Sequence, residues 1–357
     1  MKIAHIVGAR PNFMKMAPVY RAIQPYKFNQ SIVHTGQHYS ENMSDIFFKE
    51  LGISNPDVNL HVGSGSHAYQ VAQAMIKLEE YFLENKMDLV IVYGDINSTL
   101  AAVLVCSKMN IKTAHVEAGL RSYDMSMPEE INRIVTDRIS DLYFTPSQDG
   151  DENLLREGIS KSKIYCVGNV MIDTLVQFLD TIKKDTSRIK SSPSYGVITI
   201  HRPSNVDDLS QLRDIVTSLN NVSKKIKLFF PIHPRTRKQL DQLKDIQLGE
   251  NITLIDPLGY IDFMNLVYYS KFVITDSGGI QEETSYLDIP CLTLRENTER
   301  PITITNGTNT LIGKNYGLLQ KSISAILNNK YKHSKKLKKW DGKAAARIAK
   351  IITKIFS

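Results

Sequence analysis

The sequence predicts an α/β fold made of two doubly wound, Rossmann-like domains. Three observations predict it. Short apolar runs alternate with longer amphipathic stretches along most of the chain. The alternation pauses once, at the polar, Ser- and Pro-containing stretch Lys183–Ser194, and then restarts. The 357 residues suit two domains of ordinary size, each with enough chain to bury a core. Strands that alternate with helices imply parallel sheets covered on both faces.

In the first half the apolar runs place strands at Lys2–Val7, Ser31–Thr35, Leu89–Tyr93, Thr113–Glu117, Leu142–Thr145 and Ile164–Val167. Helical periodicity lies between them, at Tyr69–Lys86, Thr99–Met109 and Glu129–Ile139, and Asp151 is a candidate cap for the stretch ending at Arg156. After the pause, strands are expected at Gly196–Ile200, Lys227–Ile232, Ile252–Asp256, Phe272–Thr275 and Cys291–Leu294, with a helix at Leu209–Val222. The expected domains are residues 1–182 and 195–342. Residues 343–357 follow as a last segment.

Composition removes several classes. With 42% apolar and 23% charged residues the chain is neither disordered nor a small disulfide scaffold. No run of about 18 uncharged apolar residues occurs, so no membrane insertion is expected. The N-terminus enters a strand pattern without a signal-peptide layout. Three scattered cysteines, with no CxxC pair, give neither a disulfide framework nor a zinc site. A cytoplasmic location is the expectation.

The net charge of +7 is a property of the tail. Residues 321–357 hold eleven Lys or Arg against one acid, so +7 overall less +10 in the tail leaves −3 for residues 1–320. Lys330–Lys339 contains a single aromatic residue, Tyr331. That lacks the stacking groups of a nucleic-acid site, and no nucleic-acid partner is expected; a solvated segment is.

Doubly wound sheets bind ligands at the carboxyl ends of their strands. Those ends are polar here. The first strand runs into Gly8-Ala9-Arg10-Pro11 and the second into Thr35-Gly36-Gln37-His38. The next two end in Gly94-Asp95 and Glu117-Ala118-Gly119-Leu120-Arg121. In the second half the ends are His201-Arg202, His233-Pro234-Arg235 and Asp276-Ser277-Gly278-Gly279. A lone Asp after a strand is most often a helix cap. Chance turns, however, would be richer in Asn, Ser and Gly than this series.

The stretch from Asp276 to Glu283 places small residues between a strand and a helix. Backbone N–H groups of Ser277, Gly278 and Gly279 and the helix dipole then form a phosphate cradle. Glu283, about one turn later, suits a ribose diol. Neither GxxxxGK[ST] nor GxGxxG occurs, which weakens ATPase and dehydrogenase readings. Arg10 and Lys15 offer cations for a diphosphate. A nucleoside diphosphate in an interdomain cleft is the expected ligand.

Asp95, Glu117 and the Glu129-Glu130 pair add carboxylates that a diphosphate does not need. They make sense as acid/base groups. His201 is placed to touch phosphate or move a proton. Neither HExxH nor HxH occurs, and no metal is expected.

These strings together resemble the non-hydrolysing UDP-N-acetylglucosamine 2-epimerases. Ten motifs match in order over roughly residues 1–313: Gly8-Ala9-Arg10-Pro11 with Lys15-Met16-Ala17-Pro18, Thr35-Gly36-Gln37-His38, Gly94-Asp95, and His115 to Arg121; then Pro128 to Arg133, Val167-Gly168-Asn169, His201-Arg202-Pro203, His233-Pro234-Arg235, Asp276 to Glu283, and Thr298-Glu299-Arg300-Pro301. The resemblance implies a glycosyltransferase B-type architecture, with a C-terminal helix over 343–357 that packs back on the first domain, a homodimer, and reversible inversion at carbon 2 of a UDP-sugar without a cofactor. It implies loss of the carbon 2 proton and of UDP, a 2-acetamidoglucal intermediate, and re-addition of UDP.

Position by position, Asp95, Glu117, Glu129 and His201 match the family's catalytic groups. Arg10, Lys15, Ser277, Gly278, Gly279 and Glu283 match its UDP-sugar positions. Many members bind a second substrate molecule as activator. Gln37, His38 and His233 match that region, while Tyr39-Ser40 and Pro234-Arg235 depart from it. The loop Arg121–Pro128 is shorter than in many members, and Pro203-Ser204-Asn205 replaces the usual Arg-Glu after His201-Arg202. Relatives with similar loops act on UDP-sugars with a 3-acetamido group and a uronic acid. That substrate, a hydrolysing epimerase and a glycosyltransferase are the alternatives.

Overall fold

The computed structural model describes residues 1–36, 51–185 and 194–356. The chain divides into two compact units, Met1–Val176 with Lys338–Ser357, and Gln177–Leu337. Each unit contains one wholly parallel sheet.

The first sheet has seven strands in the order β3-β2-β1-β4-β5-β6-β7. They are β1 Lys2–Val7, β2 Asn29–His34, β3 Val58–Asn59, β4 Leu89–Tyr93, β5 Lys112–Val116, β6 Leu142–Thr145 and β7 Ile164–Cys166. β4 reads as an unbroken apolar run, and β1 as one interrupted only by the buried His5 after Lys2, because helices cover both faces. The winding direction reverses between β1 and β4, where Ile3 to Ile6 pair with Leu89 to Val92. The turns carrying Gly8 and Gly94 therefore open side by side at the switch point, where such sheets bind ligands.

The helices of this unit are α1 Arg10–Ile23, α2 His67–Glu84, α3 Asn97–Met109, α4 Pro128–Ile139, α5 Gln148–Arg156 and α6 Val170–Lys184, which contains the division point. Ser147, not Asp151, stands at the N-cap of α5. Asp151 lies within its first turn and accepts from the Thr145 hydroxyl, which spends its carboxylate on the strand below. Asp149, its Asp-x-Asp partner, sits in the same turn. Among the described residues no group of three His, Cys, Asp or Glu side chains is placed to hold a metal ion.

The second sheet has six strands in the order β10-β9-β8-β11-β12-β13. They are β8 Tyr195–Thr199, β9 Lys227–Pro231, β10 Ile252–Ile255, β11 Phe272–Thr275, β12 Cys291–Thr293 and β13 Asn309–Leu311. Its switch point falls between β8 and β11, the strands that lead into His201 and Asp276. The helices are α7 Pro203–Val206, α8 Leu209–Ser223, α9 Pro234–Leu240, α10 Tyr260–Tyr268, α11 Gly278–Leu287, α12 Ile302–Thr305 and α13 Tyr316–Leu327. Ile198, Leu228, Phe230, Phe272, Ile274 and Leu292 form the centre of its core.

β3 and β13 are additions to the expected strands. They are two and three residues long, too short for a periodic signal. The interruption expected at Lys183–Ser194 starts later, because α6 runs through Lys184; residues 186–193 lie outside the described residues.

The basic tail is only partly solvated. Trp340 is buried, and its indole N–H donates to the Pro146 carbonyl at 3.0 Å. The last helix, α14 Ala344–Phe356, packs on α1 through a face containing Ala345, Ile348, Ala349 and Ile352. Its lysines lie off that face, as an amphipathic helix requires. Asp173 caps α14, accepting from Ala344 N at 3.0 Å and Ala345 N at 2.7 Å. Among the described residues no helix is long and apolar enough to cross a membrane.

Replacing Asp173 with Ala removes this cap and strands two buried donors. Asp173→Ala is expected to cost about 1–2 kcal/mol. Thermal unfolding checks it, with a midpoint drop of roughly 2–8 °C.

Candidate active site

In the first unit the site begins at β4 and β5, which end side by side with Tyr93 opposite Val116. Gly94, at φ +62°, turns the chain, and the turn must be glycine for a second reason. A Cβ there would lie 2.7 Å from Lys15 Nζ and 3.0 Å from Glu117 Oε2. Lys15, from α1, forms a buried ion pair with Glu117, and both residues are 6% exposed. Glu117 itself stands at φ +75°, a left-handed conformation rare outside glycine. Such strain concentrates at functional sites.

Asp95 pairs with Arg133 of α4, whose guanidinium is almost wholly buried. Arg133 also holds Glu130 through Nε at 2.8 Å. Glu130 in turn accepts from Ser122 N at 3.0 Å and Tyr123 N at 2.8 Å, which fixes the loop that follows β5. Asn132 donates to the Asp95 carbonyl at 2.9 Å. Glu129 is half-buried in the first turn of α4, with no hydrogen-bond or ion-pair partner among the described residues.

A second buried cluster lies beneath these turns. His115 Nδ1 is 2.7 Å from Asp137 Oδ1, and its Nε2 is 2.8 Å from the Gly94 carbonyl. Asp137 Oδ2 accepts from Arg121 Nη1 at 2.7 Å and Gly119 N at 3.0 Å. Arg121 reaches on to Glu157 with two parallel bonds of 2.8 and 2.7 Å. Burial works against the Asp137 charge, but His115 and Arg121 outweigh it and hold its carboxyl below the usual range.

In the second unit Asp276 is the anchor. It is 0% exposed and accepts from His201 N at 3.0 Å, Arg202 N at 2.8 Å and Asn205 Nδ2 at 3.1 Å. His201 Nδ1 lies 3.1 Å from its other oxygen, while the His201 side chain stays 40% exposed. Burial opposes ionisation of Asp276; the His201 and Arg202 donors and Asn205 outweigh it and keep the carboxyl below its ordinary range. His201 and His233 lie ring to ring, with centroids 5.7 Å apart. His233 caps α9, accepting from Arg235 N at 3.1 Å.

Ser277 occupies the N-cap of α11, and Gly278 and Gly279 form its first turn. A side chain at Gly278 would meet Arg300 Nη1 at 2.6 Å and Glu299 Oε1 at 2.8 Å. The turn thus lies against the Arg300 guanidinium, which is also 2.9 Å from Glu282. Glu283 is buried deeper in α11 and accepts from the Tyr260 hydroxyl at 2.8 Å. Burial pushes its carboxyl up to about 8, partly offset by that hydroxyl and reinforced by Glu282.

The structure therefore brings Lys15, Asp95 and Glu117 together at one sheet end, and His201, His233, Ser277, Gly278 and Gly279 at the ends of the other. Gln37 and His38 lie outside the described residues, as does the side chain of Arg10. Sequence reasoning assigned no role to Arg133, Asp137, Tyr260 or Asp276 itself. Arg133 had one signal, its position three residues after Glu130 on a helix.

Known proteins resemble this chain in sequence and fold. A family model described as UDP-N-acetylglucosamine 2-epimerase matches residues 21–353. The UDP-N-acetylglucosamine 2-epimerase of Methanocaldococcus jannaschii is 42% identical, over 99% of this chain and 99% of that protein. Its crystal structure in complex with UDP-GlcNAc and UDP superposes with a TM-score of 0.91, covering 99% of this chain and 100% of that one. The UDP-2,3-diacetamido-2,3-dideoxy-D-glucuronate 2-epimerase of Pseudomonas aeruginosa is 40% identical, over 99% of this chain and 100% of that protein.

The Asp276 geometry carries a pH prediction. A carboxyl held low in the folded state adds stability above its unfolded pKa of about 4 and loses it as pH falls through the folded value. Asp276→Asn is expected to cost about 2–3 kcal/mol at neutral pH. It should also flatten the fall in stability between about pH 5 and pH 2. Urea unfolding across that range checks both; an unchanged acid limb would contradict the assignment.

Proposed function

The chain belongs to the UDP-N-acetylglucosamine 2-epimerase family, and from that membership we propose that it inverts carbon 2 of UDP-N-acetylglucosamine to give UDP-N-acetylmannosamine. The observation that carries the reading is the buried Lys15–Glu117 pair on strained backbone beside the Gly94-Asp95 turn. Sequestered, charge-balanced carboxylates at a switch point suit proton abstraction from carbon.

In this reading a carboxylate takes the carbon 2 proton while the bond from carbon 1 to the UDP oxygen breaks. The electron pair of the C–H bond becomes the ring double bond, and UDP leaves with the electrons of the C–O bond. UDP then adds back to carbon 1 of the 2-acetamidoglucal, and a proton arrives on the opposite face of carbon 2. The carbon 2 proton is weakly acidic, so the leaving diphosphate must be stabilised as it departs. Ser277, Gly278 and Gly279 at the start of α11, with Arg10, are the groups proposed to do so, and Glu283 to hold the ribose. His201 is proposed to contact the diphosphate or carry a proton. Two protons must be handled on opposite faces, so Asp95, Glu117 and Glu129 share the work.

A second reading keeps the chemistry and changes the sugar. The Pseudomonas aeruginosa relative bears the name of a diacetamido uronate epimerase, at an identity close to that of the Methanocaldococcus jannaschii relative. Proton NMR in deuterated water separates the two. Incubation with UDP-N-acetylglucosamine should give UDP-N-acetylmannosamine with deuterium at carbon 2 and no lasting free UDP. Turnover of the 2,3-diacetamido uronic acid sugar alone would support the second reading. Stoichiometric UDP release would favour hydrolysis instead.

Asp95→Asn, Glu117→Gln and Glu129→Gln are each expected to lower turnover at least about tenfold, the low end for loss of an acid or base. UDP binding, followed by calorimetry, should persist in all three. Full activity in all three would remove the catalytic assignment.

A further inference from the structure

We propose that His115 is a buried imidazolium, clamped by Asp137, that positions the Gly94-Asp95 peptide and through it the Asp95 carboxylate. The proposal rests on the reading of Asp95 and Glu117 as the groups acting at carbon 2.

The argument starts from donors and acceptors. His115 is fully buried, and each ring nitrogen has one partner: Asp137 Oδ1 at 2.7 Å and the Gly94 carbonyl at 2.8 Å. A carbonyl oxygen only accepts, and an ionised carboxylate only accepts. A neutral imidazole carries one N–H, which would leave one of these short contacts as two acceptors face to face. Moving the proton to Asp137 would relieve that contact. The surroundings of Asp137 oppose it, because its other oxygen already accepts from Arg121 Nη1 and Gly119 N. The proton therefore belongs on the ring.

The charge count agrees. Arg121 and His115 carry two positive charges, and Asp137 and Glu157 carry two negative ones. With a neutral ring the four side chains would sum to one negative charge, shared between the fully buried Asp137 and the part-exposed Glu157. Tyr143 also lies near Asp137; burial pushes its phenol up, Asp137 and Asp141 add to the shift, and Arg138 opposes it. It stays neutral and leaves the balance intact.

The consequence is mechanical. The imidazolium bonds the oxygen of the peptide that joins Gly94 to Asp95, while Asn132 holds the Asp95 carbonyl. Both peptides that flank Asp95 are thus fixed. Asp137 also anchors Gly119 N, in the turn where Glu117 stands at φ +75° and Gly119 at φ +81°. One carboxylate on α4 therefore clamps both carboxylate-bearing turns. His115 and Asp137 reach neither turn's side chain; they are positioning residues.

Nitrogen-15 NMR of the imidazoles in the full-length protein tests the protonation, with His115 assigned by comparison with His115→Gln. Both ring nitrogens are expected to carry protons in the folded protein at neutral pH. A single protonated nitrogen would overturn the imidazolium. Kinetics test the positioning. His115→Gln and Asp137→Asn are each expected to lower kcat at least about tenfold with KM within about threefold, the mark of misplaced groups in a site that still binds. Unchanged kcat in a folded variant would overturn the role. If Asp137→Asn fails to fold, His115→Gln decides, since its amide carries donors on one atom only and cannot bridge Asp137 and the Gly94 carbonyl from opposite sides. Asp95→Asn, run in parallel, separates the two readings. Full activity there would sink the carbon 2 assignment, whereas the nitrogen spectrum does not depend on turnover.

Discussion

A buried charge is tolerated only beside an opposite charge, because removing an ion from water costs several kcal/mol even after the protein relaxes. That constraint governs both strand-end clusters. In the first unit Glu117 lies against Lys15, Asp95 against Arg133, and Asp137 against Arg121 and His115. In the second, Asp276 lies against His201, and Glu299 between Arg295 and Arg300. Some of these pairings tie one βα unit to another. Lys15 ties α1 to the end of β5, and Arg133 ties α4 to the end of β4. The helices are thus placed by charge as well as by their apolar faces.

The same pairings sustain backbone that would otherwise relax. A non-glycine residue in the left-handed region costs on the order of 1–3 kcal/mol and survives only where its surroundings over-determine it. Glu117 is held by Lys15 at its side chain and by the Phe144 carbonyl at its own N–H, at 3.0 Å. Two residues later the Asp137 carboxylate captures Gly119 N. Gly94 must be glycine because Lys15 and Glu117 occupy the place of its side chain. The strain and the ion pair are two aspects of one arrangement, which presents carboxylates at the switch point instead of burying them in the sheet.

Much of this was legible in the sequence. Parallel strands covered on both faces are mostly apolar, so β1, β4, β6 and β11 stood out with the bounds the structure has. Their ends were legible because they turn abruptly to Arg, Asp, Glu and Ser. Edge strands were not: β3 has two residues and no period. Nor were the buried cations. Arg133 lies on a helix rich in charged residues, where an arginine reads as solvated, and only the fold shows its guanidinium enclosed by Asp95, Glu130 and Ser122. Asp137 reads as an ordinary helix-surface acid for the same reason. The tail misled in the opposite sense: its lysines hide the buried Trp340. Asp276 was seen as the start of a phosphate turn, but its hydrogen bonds organise the backbone of His201 and Arg202 instead.

The choice between a neutral and an acidic sugar belongs to other residues than these. Asp95, Glu117 and Glu129 are proposed to act at carbon 2, which the hexose and the diacetamido uronic acid have in common. The diphosphate and the ribose are common to both as well, so Ser277, Gly278, Gly279 and Glu283, proposed to hold them, would not discriminate either. What differs is an extra acetamido group and an extra negative charge. Discrimination then requires a polar group for the amide and a cation with donors left over after its structural pairings. Lys15 and Arg133 are committed to Glu117 and Asp95, and Arg121 to Asp137 and Glu157. Their pairings are what keep the carboxylates charged and in place. Drawing any of them onto a substrate carboxylate would release an unpaired acid in the interior. Sugar selectivity is therefore expected to reside in cations outside the two strand-end clusters, free to vary among relatives that keep the same chemistry.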